Sequence, residues 1–162
     1  MKYKIFSRSI THIALDVYGT ILAVDEVDDS EIFFGAREGT REFLEECKKP
    51  DSGVEVVCAS DAVPAELEFT MRDAGLLKEG ETLNDIFYDI VTLRTTPKDY
   101  SVLLEKYWID GHNLLVVGDR EEKEIEGAEM IGANWILVPE YSIKNRMKES
   151  YRFNMMDILK FI

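Results

Sequence analysis

Ile10-Thr11-His12-Ile13-Ala14-Leu15-Asp16-Val17-Tyr18-Gly19-Thr20 joins a short apolar run to an aspartate and a small, flexible turn. The run reads as a buried strand. An aspartate at its carboxyl end is held rigidly yet exposed, as a nucleophile or metal ligand must be. Alone, the pentapeptide fits equally a strand end closed by an Asx turn. Downstream the pattern recurs. Val54-Glu55-Val56-Val57-Cys58-Ala59-Ser60 is a second apolar strand ending in a hydroxyl, and Leu114-Leu115-Val116-Val117-Gly118-Asp119 is a third ending in an aspartate, with Glu124 just beyond. Thr96-Pro97-Lys98 reads as an N-cap and first-turn proline opening a helix near 97–107.

Apolar runs at 10–15, 54–58, 86–92, 114–117 and 134–138 alternate with helical patterns, the arrangement that builds a parallel sheet with crossover helices. Phe43, Leu44 and Cys47 line one face of a helix near 39–49; Val63, Leu67, Met71 and Ala74 line another, with Gly75 as its C-cap. Asn154 would cap a docking helix over 154–162 with Met155, Ile158, Leu159 and Ile162 on one face. Asp25, Glu26, Asp28, Asp29 and Glu31 crowd together without the ligand spacing of a calcium loop; a solvated acidic loop is expected. Cys47 and Cys58 read as core thiols, Trp108 and Trp135 as packing residues, and His12 and His112 as structural.

The 162 residues suit one domain, long enough to bury roughly 70% of the unfolded chain's surface. With 32 acidic against 19 basic residues the net charge is −13, a field that repels polyanions, so nucleic acid is not expected as a partner. In a phosphate-handling site the same field calls for a divalent cation. Nothing at the N-terminus resembles a signal peptide, and no run approaches the roughly 18 apolar residues of a membrane span. A soluble cytoplasmic protein that does not engage membranes is the expectation.

In that order and at those spacings, Asp16, Ser60, Lys98 and Asp119 with Glu124 resemble the haloacid dehalogenase (HAD) superfamily. Arg37-Glu38-Gly39-Thr40-Arg41-Glu42-Phe43-Leu44 looks like the family's helix after its flap, Asp89-Ile90-Val91-Thr92 like the segment before its lysine, and Glu124-Ile125-Glu126-Gly127-Ala128 like the end of its fourth motif. The resemblance implies an α/β, Rossmannoid three-layer sandwich over residues 1–162 with a parallel sheet of about five strands, and a flap over about 21–36. The intervals from Asp16 to Ser60 and from Ser60 to Lys98 are too short for the family's cap domains, so the site should lie open unless a neighbouring subunit in a homo-oligomer covers it.

For phosphoryl transfer the resemblance implies these roles. Asp16 attacks phosphorus, and Mg²⁺ is held by Asp16, the main-chain carbonyl of Tyr18 and Asp119, with Glu124 ligating through water or orienting the ion. Ser60 and Lys98 bind the phosphate and stabilise its charge, and backbone amides around Val17 to Gly19 add donors. Tyr18 departs from the family's phosphatases, which place there an aspartate that protonates the leaving group. A phenol near pKa 10 is a usable acid and a poor base at neutral pH, so a phosphatase or phosphotransferase built on this chain should be slow. Two other readings stay open: a catalytically weak or inactive binding module, and a metal-independent haloacid dehalogenase, whose members carry a tyrosine at that position but also a helical cap this chain cannot hold. The substrate is expected to be a phosphorylated small molecule or a phosphoprotein.

Overall fold

The computed structural model describes residues 1–6, 9–27, 30–142 and 152–162, with the backbone alone for 24–34. In chain order the elements are β1 (Lys2–Lys4), β2 (His12–Leu15), β3 (Leu22–Val27), β4 (Ser30–Ala36), α1 (Thr40–Lys48), β5 (Glu55–Ser60), α2 (Pro64–Asp73), α3 (Leu83–Ile86), β6 (Asp89–Thr92), α4 (Ser101–Tyr107), β7 (Leu114–Gly118), α5 (Glu126–Met130) and β8 (Asn134–Leu137), closed by a 3₁₀ helix over Met155–Phe161. All five apolar runs are strands of one sheet, ordered β1-β8-β7-β2-β5-β6 and parallel except at β1. The sixth strand, β1, pairs antiparallel with β8. Its Lys-Tyr-Lys sequence has no apolar run to announce it; lysines are what an exposed edge uses to discourage further pairing.

Side chains alternate across a strand, and here the two sets feed separate cores. Ile13, Leu15, Val56, Cys58, Leu115 and Val117 pack under α1, α2, α3 and the 3₁₀ helix, while Ala14, Val57, Ala59, Leu114 and Val116 pack under α4 and α5. The result is three layers with β2 at the centre, flanked by β5 on one side and β7 on the other. Chain direction across the sheet reverses there, so the loop after β2 opens at the switch point where ligands of such sheets bind.

Several expectations need correction. The acidic stretch is not a loop: β3 and β4 form an antiparallel hairpin pairing Leu22 with Ala36 and Val24 with Phe33, because valine, isoleucine and phenylalanine interleave with the acids and favour strand. Asp28 and Asp29 lie outside the described residues. The helix expected from 97 begins at Ser101 instead. Asp99 accepts the Ser101 N–H at 3.1 Å, and the Lys98 N–H is committed to Lys123 O at 3.0 Å, leaving 96–100 as a loop. The docking helix is a 3₁₀ helix, capped by Asn154 as expected but with a spacing of three that buries Met155 and Ile158 and leaves Ile162 at the surface. Trp108 is not a packing residue: it is 93% exposed, because it occupies the left-handed C-cap of α4 at φ 56°, which turns it off the packed face. Cys47 and Cys58 are buried and unbridged, each thiol pushed up to about 12 by burial.

Candidate functional site

Asp16 continues from β2, and its N–H still donates to Val117 O of β7 at 3.0 Å, so the carboxylate inherits the rigidity of the sheet. The chain then turns sharply. Val17 O accepts the N–H groups of Thr20, Ile21 and Leu22 at 3.1, 2.8 and 3.1 Å, and Gly19 takes φ +83°, open to a residue without Cβ. Any Cβ there would stand 2.3 Å from Asp119 Oδ2, so Gly19 also gives Asp119 its place. The turn delivers the buried Thr20 hydroxyl between Asp16 Oδ2, at 3.0 Å, and Asp119 Oδ1, at 3.2 Å.

Asp119 follows β7. After it comes a single π turn, Glu121–Ile125, a geometry frequent at functional sites, which carries Glu124 back under the strand end. Gly118 permits this, since its Cβ would lie 2.3 Å from Glu124 Cγ. Lys98 is only 2% exposed. Its ammonium donates to Asp16 Oδ1 at 2.7 Å and to Ala59 O at 3.0 Å, and lies 3.7 Å from Glu124 Oε1. The neighbouring Lys123 closes the rim on Asp61 at 2.8 Å.

Asp16, Asp119 and Glu124 each offer a ligand oxygen within 4.8 Å of the others. Burial pushes the Asp119 and Glu124 carboxyls up, and the charge of Asp16 pushes them further. Burial opposes the Lys98 ammonium, but Asp16 and Glu124 outweigh it and raise its pKa. Glu124 Oε2 is buried with no hydrogen-bond partner, a costly state for a carboxylate oxygen unless a cation or proton takes it up. Crowded hard oxygens in excess of the one ammonium that touches them are the donor set that suits Mg²⁺.

The structure thus brings together Asp16, Lys98, Asp119 and Glu124. Ser60 ends β5 beside Ala59 and accepts the Ala62 N–H at 3.2 Å. The Gly19 amide does not offer the donor expected of it: it is spent on Leu22 O at 2.8 Å. Tyr18 sends its phenol to Thr70 of α2, at 3.0 Å; since Thr70 donates to Glu66 O at 2.8 Å, the phenol is the donor. Two residues escaped the sequence reading as site members. Thr20 was visible as part of the turn, four residues after Asp16. Arg37 was read only as part of the helix after the flap, and its place at the site carried no signal, because its partners are main-chain carbonyls far away in sequence: Gly19 O at 3.3 Å and Pro139 O in close contact.

The chain is a three-layer α/β fold with an aspartate-centred acidic site at the switch point of its sheet. Among solved structures this chain is similar to a haloacid dehalogenase-like family hydrolase from Xanthomonas campestris (TM-score 0.60, 12% identity, 92% of each chain covered). It is also similar to a HAD-superfamily hydrolase of subfamily IA from Geobacter sulfurreducens (0.58, 16%, 93% of this chain and 97% of that one). A third likeness is to the core domain of a candidate phosphoglycolate phosphatase from Streptococcus pneumoniae (0.56, 20%, 93% of each). The fold is therefore that of the HAD superfamily. No family model and no curated protein matches the sequence. Among the described residues no helix is long and apolar enough to cross a membrane.

Proposed function

We propose that the chain is a Mg²⁺-dependent phosphatase or phosphotransferase that works through Asp16. The observation that carries this is the cluster of three carboxyls, two of them paired with one buried lysine, at the carboxyl end of β2 and β7. The ion would be held by Asp16, Asp119 and the Tyr18 carbonyl, with Glu124 ligating directly or through water, and when bound would neutralise phosphate oxygens.

Asp16 would be the nucleophile, its carboxylate oriented by Lys98 on one oxygen and Thr20 on the other. Attack forms a bond from Asp16 oxygen to phosphorus and breaks the bond to the leaving oxygen, which takes its proton from water. Water, or an acceptor hydroxyl in the transferase case, then displaces phosphate and restores the carboxylate. Lys98 stabilises the charge of both steps, and Ser60 offers its hydroxyl proton to a phosphate oxygen. With the phenol of Tyr18 engaged on Thr70, acid assistance worth about 10²–10⁴-fold is missing. Substrates with good leaving groups, acyl or aryl phosphates, suit such a site best, whether carried by a small molecule or a protein.

The test is hydrolysis of p-nitrophenyl phosphate with Mg²⁺, with a chelator, and by Asp16→Asn. The expected result is slow turnover that stops in the last two. Activity surviving Asp16→Asn would end the reading.

A further inference from the structure

Arg37 is 2% exposed, yet only its Nη2 has hydrogen-bond partners; Nε and Nη1 are buried without any. An arginine kept in this state is expensive. Tying two carbonyls is work that a smaller amide could do, so the guanidinium needs a further reason to be there. Its surroundings supply one. Nη2 donates both to Gly19 O, in the turn that follows Asp16, and to Pro139 O, just past β8. Gly19 O also accepts the Tyr141 N–H at 2.7 Å. The guanidinium carbon sits 5.2 Å from the Tyr141 ring and 5.6 Å from the Phe153 ring, which offsets part of its desolvation. Burial lowers the Arg37 pKa to about 10, with Asp119 and then Tyr141 pulling the other way. Gly19 in turn abuts Asp119 so closely that a Cβ would overlap its carboxylate.

We infer that Arg37 is a positioning residue for the acidic site: it clamps the Asp16–Thr20 turn to the loop after β8 and so sets the distance between Asp16 and Asp119. Its location sharpens the point. Arg37 directly follows β4 and precedes α1, and its own N–H donates to Ile21 O at 2.7 Å. The root of the β3–β4 hairpin is therefore fastened to the same turn. Next to it Glu38 O accepts the Met155 N–H at 2.9 Å, and Asn154 Oδ1 fills the space where a Gly39 Cβ would be. Four segments distant in sequence meet under the carboxylates, and Arg37 is the side chain that touches three of them. The link to the metal site rests on the function proposed above; the clamp itself does not.

The experiment compares wild type, Arg37→Met, Arg37→Lys, Asp119→Ala and Leu103→Ala, the last being a core truncation on the far face of the sheet. Amide hydrogen exchange is read without metal, and Mg²⁺ binding by calorimetry. Arg37→Met should speed exchange at Gly19 through Leu22 and at Tyr141 by about tenfold or more relative to β7 amides, because a charged hydrogen bond is lost. It should weaken Mg²⁺ by about tenfold for the same reason, and Arg37→Lys should recover part of both. Leu103→Ala should lower stability without either local change. Unchanged exchange at those amides in Arg37→Met would overturn the clamp whatever the metal does. Faster exchange with wild-type Mg²⁺ affinity, where Asp119→Ala has lost binding, would overturn its role at the site. If wild type binds no Mg²⁺, the metal reading fails and exchange alone decides on the clamp. Should Arg37→Met not fold, Arg37→Lys gives the same readouts.

Discussion

Strand β2 has a settled end and an unsettled one. At its start the His12 ring stacks on Tyr107 at 4.8 Å and meets Tyr88 edge-on at 5.9 Å, with Thr11 Oγ1 on its Nδ1 at 2.9 Å. Tyr107 donates to Asp89 at 2.6 Å, and Lys106 pairs with the same carboxylate at 2.7 Å. Burial opposes the charge on Asp89, but these partners win and hold its pKa below the ordinary value. Four residues along, at the other end, burial and Asp16 push Asp119 and Glu124 upward, and one oxygen has no partner at all. The same strand thus closes its hydrogen bonds where it only needs to be held, and leaves like charges confronting one another where a ligand is expected. Proteins depart from local consistency at functional sites in this way.

The sharpest way to break the contrast is Asp16→Asn against Tyr107→Phe. The first should cut phosphate-ester turnover by about 10³-fold or more at little cost in stability, as read by steady-state assay and thermal melt. Next in size is Lys98→Met. Removing the cation from a buried carboxyl cluster should destabilise the apo protein by about 3 kcal/mol, read by urea titration at pH 7, and Mg²⁺ should restore part of the loss. A Lys98→Met protein as stable as wild type would mean that the carboxyls had already neutralised themselves with protons.

A smaller effect carries a pH signature. Because the folded pKa values of Asp119 and Glu124 are raised, the native state binds more protons than the unfolded one above the ordinary carboxylate range, so these groups cost stability as pH rises. Glu124→Gln should therefore raise the apo melting temperature at pH 7.5 by about 2–4 °C, with the gain shrinking toward pH 5. The stabilisation of wild type by Mg²⁺ should grow over the same interval, since the ion displaces those protons. Asp89 has the opposite sign, contributing stability that is lost as pH falls. No larger is Tyr107→Phe, about 1 kcal/mol at most from one hydrogen bond, with Mg²⁺ affinity untouched; a change in that affinity would show the two ends to be coupled.

The parallel sheet and the strand-end positions of Asp16, Ser60 and Asp119 were legible because each follows an apolar run, a signal local in sequence. Lys98 was found, but its route was not. Proline after threonine spells a helix start, whereas Asp99 and Ser101 make a closer cap and release Lys98 into a loop that lowers its ammonium onto Asp16. Tyr18 was visible as a substitution, while its partner Thr70 depends on how α2 lies on the sheet. Arg37 was illegible for the plainest reason: main-chain carbonyls are the same at every position, so a residue that binds Gly19 O and Pro139 O leaves no pattern for its partners to match.

The outward turn of Trp108 has an optical consequence. Its indole, 93% exposed, should emit near the wavelength of a tryptophan in water whether the chain is folded or not. Trp135, partly buried against the core on β8, which α5 contacts, with its N–H buried, carries the shift to the blue. Quenching by iodide should extinguish the first and spare the second. In Trp108→Phe the remaining emission would come from β8 alone, four residues before Pro139, and would report by colour on the strand that Arg37 fastens to the turn after Asp16.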